Sequence, residues 1–153
     1  MDLKEEAIST GKYIVIGLIL SVVINQGLGY ALHTEKPIMA VVSNSMIPVF
    51  YRGDLIVVKG IDCQDIEVDD IIVYQNPYRG IPVVHRVVEI VEDEHGGRSF
   101  ITKGDNNPHT DQTTGISPPV ACGWLRGEVK LIIPKLGLFK VGLIELNNLA
   151  RSL

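Results

Sequence analysis

Two kinds of hydrophobic pattern divide this chain. Residues 13–32 (YIVIGLILSVVINQGLGYAL) form a run of 20 without a formal charge. As a helix this run is roughly 30 Å long, about the thickness of a bilayer's hydrocarbon core. Its strongly apolar part, 13–24, lacks the polar face that a helix packed on a globular core would show, and Asn25 and Gln26 weaken the far end. A cleaved leader fits less well, because MDLKEEAISTGK is mixed in charge and the apolar run is long for one. The pattern predicts an uncleaved membrane anchor at 13–32, preceded by a short tail at 1–12. Lys4, Lys12 and Lys36 flank both ends, with acidic residues among them, so charge gives no orientation.

From Pro37 the period changes to that of strands. Short runs rich in Val and Ile lie at 38–42, 54–59, 70–74, 81–91, 99–103 and 128–133, bounded by Gly, Pro, Asn or Asp. Glu92-Asp93-Glu94-His95-Gly96-Gly97 reads as a polar hairpin turn. No helical period is evident between Pro37 and Pro134. The expectation is a mainly β domain at 37–135, antiparallel and partly barrel-like. The tail, 136–153, differs again. Leu136, Phe139, Leu143, Leu146, Ala150 and Leu153 recur at spacings of three and four, which puts them on one helix face. This predicts a C-terminal amphipathic or short membrane helix, lying at an interface, inserted in the bilayer or packed on the domain.

Composition narrows the classes of function. With 153 residues there is room for one domain with a real core. The apolar fraction is 46%, and most of the excess sits at the two ends. Net charge is -4 with no basic block, which excludes nucleic acid as an expected partner. His33, His85, His95 and His109 show no metal-ligand spacing, so no metal or other cofactor is expected. Cys63 and Cys122 are far apart in the chain, and spacing alone leaves open whether they pair.

Candidate chemistry gathers where strands end. Ala40-Val41-Val42-Ser43-Asn44-Ser45-Met46-Ile47-Pro48 begins as an apolar strand and changes to hydroxyls and a proline, with Arg52-Gly53-Asp54 close behind. Serines two apart on an extended run point to the same side, so one can attack a carbonyl while the other donates to the oxygen that becomes negative. Taken alone, Ser-x-Ser is more often a strand end with turn-forming serines. His85 interrupts the apolar run Pro82-Val83-Val84-His85-Arg86-Val87-Val88, and imidazole suits proton transfer near neutrality. Lys103-Gly104-Asp105-Asn106-Asn107 ends a strand in a sharp turn, and Asp111 follows six residues after Asp105. Either carboxylate can orient an imidazole.

The order of these boxes is more specific than any one of them. SNSMIP with RGD, then PVVHRV, then TKGDNN with a later Asp resembles the type I signal peptidases, in the archaeal and endoplasmic-reticulum branch that uses histidine as the base. The resemblance covers roughly 38–134 and the preceding anchor. It implies Ser45 as nucleophile, His85 as general base, Asp111 as third member of the triad and Asp105 in a supporting place. By the same resemblance Ser43 and the Ser45 amide would meet the oxyanion. Met39, Val41, Val42, Pro82, Val83 and Val84 would bind an extended signal-peptide end beside the strands and wall alanine-sized pockets. The implied setting is a cell membrane crossed once, with 1–12 cytoplasmic and the catalytic domain on the other side. Partners would be signal peptides, the bilayer, and the translocation machinery or accessory subunits. The loop continues as Pro108-His109-Thr110, unlike the family's usual course, and makes His109 a rival base. Three other readings are open: a Ser-Lys self-cleaving peptidase of similar fold using Lys59; a membrane-tethered β module without catalysis, in which Ser45 and His85 would not meet; and a catalytically idle subunit of a larger processing complex, against which intact Ser45, His85 and Asp111 count.

Overall fold

A computed structural model describes residues 3–77, 80–94, 96–138 and 141–142. Helix α1, Leu3–Ala31, contains the stretch Thr10–Ala31, which is long and apolar enough to cross a membrane and has none of its residues buried inside the protein. The helix begins well before the charge-free run, since Leu3, Glu5, Glu6, Ala7 and Lys12 favour helix as much as the apolar residues do. Its end is fastened to the β domain: the Gly60 amide donates to the Leu32 carbonyl at 2.7 Å, and the Thr34 hydroxyl to the Arg126 carbonyl at 2.8 Å.

Seven strands follow: β1 Ile38–Ala40, β2 Leu55–Lys59, β3 Ile71–Tyr74, β4 Val83–Glu92, β5 Arg98–Lys103, β6 Val120–Ala121 and β7 Leu125–Ile133. They form one sheet in the order β1-β2-β7-β3-β4-β5-β6, with every pairing antiparallel, curled into a half-barrel. The expected strands are all present with shifted ends. Residues 41 and 42 leave β1 and 81 and 82 precede β4, while β7 starts at Leu125 rather than Glu128. Strand β6 is only two residues long, too short to show a period. Short 3₁₀ turns, Cys63–Asp65 and Cys122–Trp124, lie on either side of a Cys63–Cys122 disulfide with Cα atoms 5.5 Å apart. The pairing left open by the sequence is therefore made. The helix expected at 136–153 falls mostly outside the described residues.

Alternation along the strands fills two cores. On one face Val41, Met46, Phe50, Ile56, Val58 and Val73 pack together; on the other Ile66, Ile72, Tyr74, Val87, Phe100 and Val120 do. Neighbours Val73 and Tyr74 thus serve opposite faces, as period 2 requires.

The sheet has a seam. Strand β1 ends the strand order, and residues 83–85 of β4 pair with β3 only, because β5 joins β4 from Arg86 onward. Between these two edges runs a cleft of about 390 Å³, walled by 39–43 on one side and 81–84 on the other. Phe100 is fully buried in the second core. Phe100→Ala should cost about 3–5 kcal/mol of stability, read as a fall in the urea midpoint; an unchanged midpoint would contradict this packing.

Candidate active site

Ser45 is held by its neighbours. Met46 and Phe50 are almost fully buried and sink the turn after the serine into the first core. The turn closes through the Val49 and Phe50 amides donating to the Met46 carbonyl at 2.8 and 3.2 Å, and it contains a cis Ile47–Pro48 peptide. From the other side the Asn106 amide donates to the Ser45 carbonyl at 2.8 Å, and the Asn106 side chain donates to the Asn44 carbonyl at 3.2 Å. Glycine at 104 permits this approach: a Cβ there would stand 2.7 Å from the Ser45 carbonyl oxygen. The GDNN turn and the Ser45 turn are therefore one packed unit.

Strand β4 brings His85 to this unit. Its Nε2 lies 2.9 Å from Ser45 Oγ, and its Nδ1 lies 2.8 and 2.7 Å from the two carboxylate oxygens of Asp111. A carboxylate accepts, so in the neutral imidazole Nδ1 carries the proton and Nε2 is left to accept from the serine hydroxyl. His85 is 4% exposed and Asp111 is 0% exposed, so the pair is shielded from competing water. Ser43 Oγ lies 3.2 Å from Ser45 Oγ at the exposed mouth of the site, on the same side, as the two-residue spacing implied.

The two aspartates occupy different positions. Asp105 makes no contact with the imidazole; it accepts from Arg86 Nε at 2.9 Å and Nη2 at 2.6 Å in a two-pronged pair. That pair raises the guanidinium's pKa against the opposing effect of burial. Arg86 Nη1 also donates to the Asp69 carbonyl at 2.8 Å. The residue next to His85 therefore ties β4 to the GDNN turn. His109 is exposed in the same loop. Lys59 sits at the far end of β2, about 13 Å along the strand from Leu55, and its backbone pairs with Glu128. Of these three candidate bases, the one within hydrogen-bonding reach of Ser45 Oγ is His85.

Two residues that the sequence reading passed over complete the site. Tyr74 OH donates to Asp111 Oδ2 at 2.8 Å, and Thr102 Oγ1 donates to the same oxygen at 2.6 Å. Burial raises the Tyr74 pKa, and the adjacent Asp111 charge raises it further, so the phenol stays protonated and donates. The loop closes on β5 as the Asp111 amide donates to the Thr102 carbonyl at 2.8 Å. Met39, Val41, Val42, Pro82, Val83 and Val84 all line the cleft that ends at Ser45 and His85, with Val41 shared between cleft and core. Among the described residues no group of His, Cys, Asp and Glu has the geometry to hold a metal ion.

A hydroxyl, imidazole and buried carboxylate in series at the foot of an apolar cleft can perform nucleophilic acyl transfer. Known proteins are similar to this chain. A "Signal peptidase complex catalytic subunit SEC11" from Schizophyllum commune is 34% identical over 148 residues, covering 84% of this chain and 75% of the relative. The corresponding protein from Dictyostelium discoideum is 36% identical over 132 residues, covering 82% and 72%. Human "Signal peptidase complex catalytic subunit SEC11C" is 40% identical over 87 residues, and the chain spans 45% of that relative's length. No protein-family model matches.

The tautomer is a direct consequence of this geometry. Nitrogen NMR of His85 should report Nδ1 protonated at neutral pH, and Asp111→Asn should shift protonation toward Nε2. A spectrum with Nε2 protonated in the unsubstituted protein would contradict the arrangement.

Proposed function

Because this chain belongs to the family of signal peptidase complex catalytic subunits, we propose that it is a membrane-anchored serine endopeptidase that removes N-terminal signal peptides from exported proteins. The observation that carries this reading is the Ser45–His85–Asp111 series at the end of a cleft bounded by two open strand edges. Ser45 Oγ attacks the carbonyl carbon after the last signal residue as His85 Nε2 takes its proton. The tetrahedral oxygen is met by the Ser45 amide and the Ser43 hydroxyl. His85 then returns the proton to the leaving amine, releasing the mature protein. Water, deprotonated by the same imidazole, hydrolyses the acyl-serine. Asp111 holds the tautomer and stabilises the imidazolium between these steps. Asp105 acts through Arg86, keeping β4 in register with the serine turn.

The substrate enters as an extended strand. Edges at 38–40 and 83–85 offer main-chain partners on both sides of the cleft, and an added strand satisfies them. Met39, Val42 and Val83 then leave shallow apolar pockets that fit alanine-sized side chains at the first and third positions before the cut. The apolar helix holds enzyme and substrate on one membrane surface, which raises their effective concentration. The Cys63–Cys122 disulfide supports a catalytic domain on an oxidising, extracytoplasmic side of a cell membrane crossed once. Accessory subunits or the translocation machinery are the expected protein partners, as in the complexes after which the relatives are named.

Cleavage of a signal-bearing preprotein by the full chain in detergent tests the reading. Ser45→Ala and His85→Ala should each abolish product while leaving the circular dichroism unchanged; normal cleavage by either would overturn the assignment. Ser43→Ala removes one oxyanion donor and should lower kcat about 100-fold, corresponding to about 3 kcal/mol of transition-state stabilisation. Asp111→Ala should be far more damaging than Asp105→Ala, since only the first leaves the imidazole without its partner.

A further inference from the structure

Resting on the peptidase reading above, we propose that Tyr74 and Thr102 are positioning residues, whose hydroxyls hold the buried Asp111 carboxylate aimed at His85, so that β3 and β5 help set the rate of the chemical step. Asp111 is wholly buried, and a carboxylate in that position needs donors to satisfy its oxygens. The structure supplies them: Tyr74 OH and Thr102 Oγ1 both meet Oδ2, the oxygen that also lies 2.7 Å from Nδ1. The two hydroxyls are themselves in contact at 3.4 Å, and both residues are 0% exposed. Water cannot replace either one without opening the second core.

Their placement depends on the sheet. Strand β7 shifts register between Val73 and Tyr74, pairing Val73 with Gly127 but Tyr74 with Leu125. The extra residue is Arg126, so the bend falls on β7; on β3 the Tyr74 ring stays in the core while its hydroxyl reaches the carboxylate. Thr102 lies opposite Val87 on β5, directly beneath the returning loop. The groups facing the Asp111 carboxylate are thus His85 from β4, Tyr74 from β3 and Thr102 from β5, with Ser117 beside the Tyr74 hydroxyl. The nearby charged pair, Arg86 with Asp105, is engaged with itself.

Removing one hydroxyl leaves Asp111 Oδ2 short of a donor and the carboxylate less firmly aimed at Nδ1. Tyr74→Phe and Thr102→Val should each lower kcat roughly tenfold with KM unchanged. The downfield Nδ1–H resonance of His85 in the proton NMR spectrum should move upfield as its hydrogen bond loosens. Thr102→Ser, which keeps the hydroxyl, should cleave and resonate like the unsubstituted chain.

The resonance is read on the resting full-length protein in detergent micelles, without substrate. Variants that show the expected upfield move in a chain that cleaves nothing would refute the peptidase reading and leave this network standing. Tyr74→Phe and Thr102→Val proteins that lose thermal stability yet keep the Nδ1–H resonance and kcat would show a merely structural role and overturn the proposal. Should Tyr74→Phe fail to fold, the comparison of Thr102→Val with Thr102→Ser decides the matter alone.

Discussion

A carboxylate removed from water is the constraint around which this domain is arranged. Asp111 is completely enclosed, and an ion in that position is tolerated only when donors satisfy it. The donors come from three strands, β3, β4 and β5, and the loop that carries the aspartate is pinned by its own amide to β5. Strand order, register and loop closure must all be right for these groups to meet. The core that encloses Asp111 is therefore also what gives it a defined orientation. The serine is treated oppositely. It sits at the rim, half-buried, on a turn anchored by Met46 and Phe50 and braced by the Asn106 amide. The inner partner is thus held rigidly, and the outer one is left accessible.

The division of labour between the two aspartates follows from where the chain turns. Asp105 lies at the tip, within reach of Arg86, which points to the opposite side of β4 from His85 because adjacent strand residues alternate. Asp111 lies at the base, beside β5, on the side of the imidazole. Six residues of loop thus clamp one strand from both faces. Each face has its own carboxylate, and a single-residue slip of β4 would exchange Arg86 for His85 at both.

Much of this was legible in the sequence. The β-branched runs between Gly, Pro and Asp marked six of the seven strands, and a charge-free run marked the helix that can span a membrane. The boxes around Ser45, His85 and Asp111 identified the groups that meet, but proximity depends on register, which a single sequence leaves open. What escaped notice has physical reasons. Tyr74 ends the run Ile-Ile-Val-Tyr and reads as one more core residue; its hydroxyl was the clue, since a buried phenol needs an acceptor. Thr102 is β-branched and fits a strand whatever its oxygen does. Strand β6 has two residues, and the first part of β7 contains Gly127, whose φ of 141° breaks the regular pattern. The cysteine pair depended on two short turns being brought together by the fold.

The seam between β1 and the start of β4 carries a consequence for selectivity. A guest strand lying there would be gripped chiefly by amides and carbonyls that every polypeptide possesses, with shape imposed only at a couple of side chains. Such a host discriminates poorly among letters of the code and strictly against bulk and helicity. One copy of this fold can therefore accept many unrelated guest strands, provided that each can straighten along the seam.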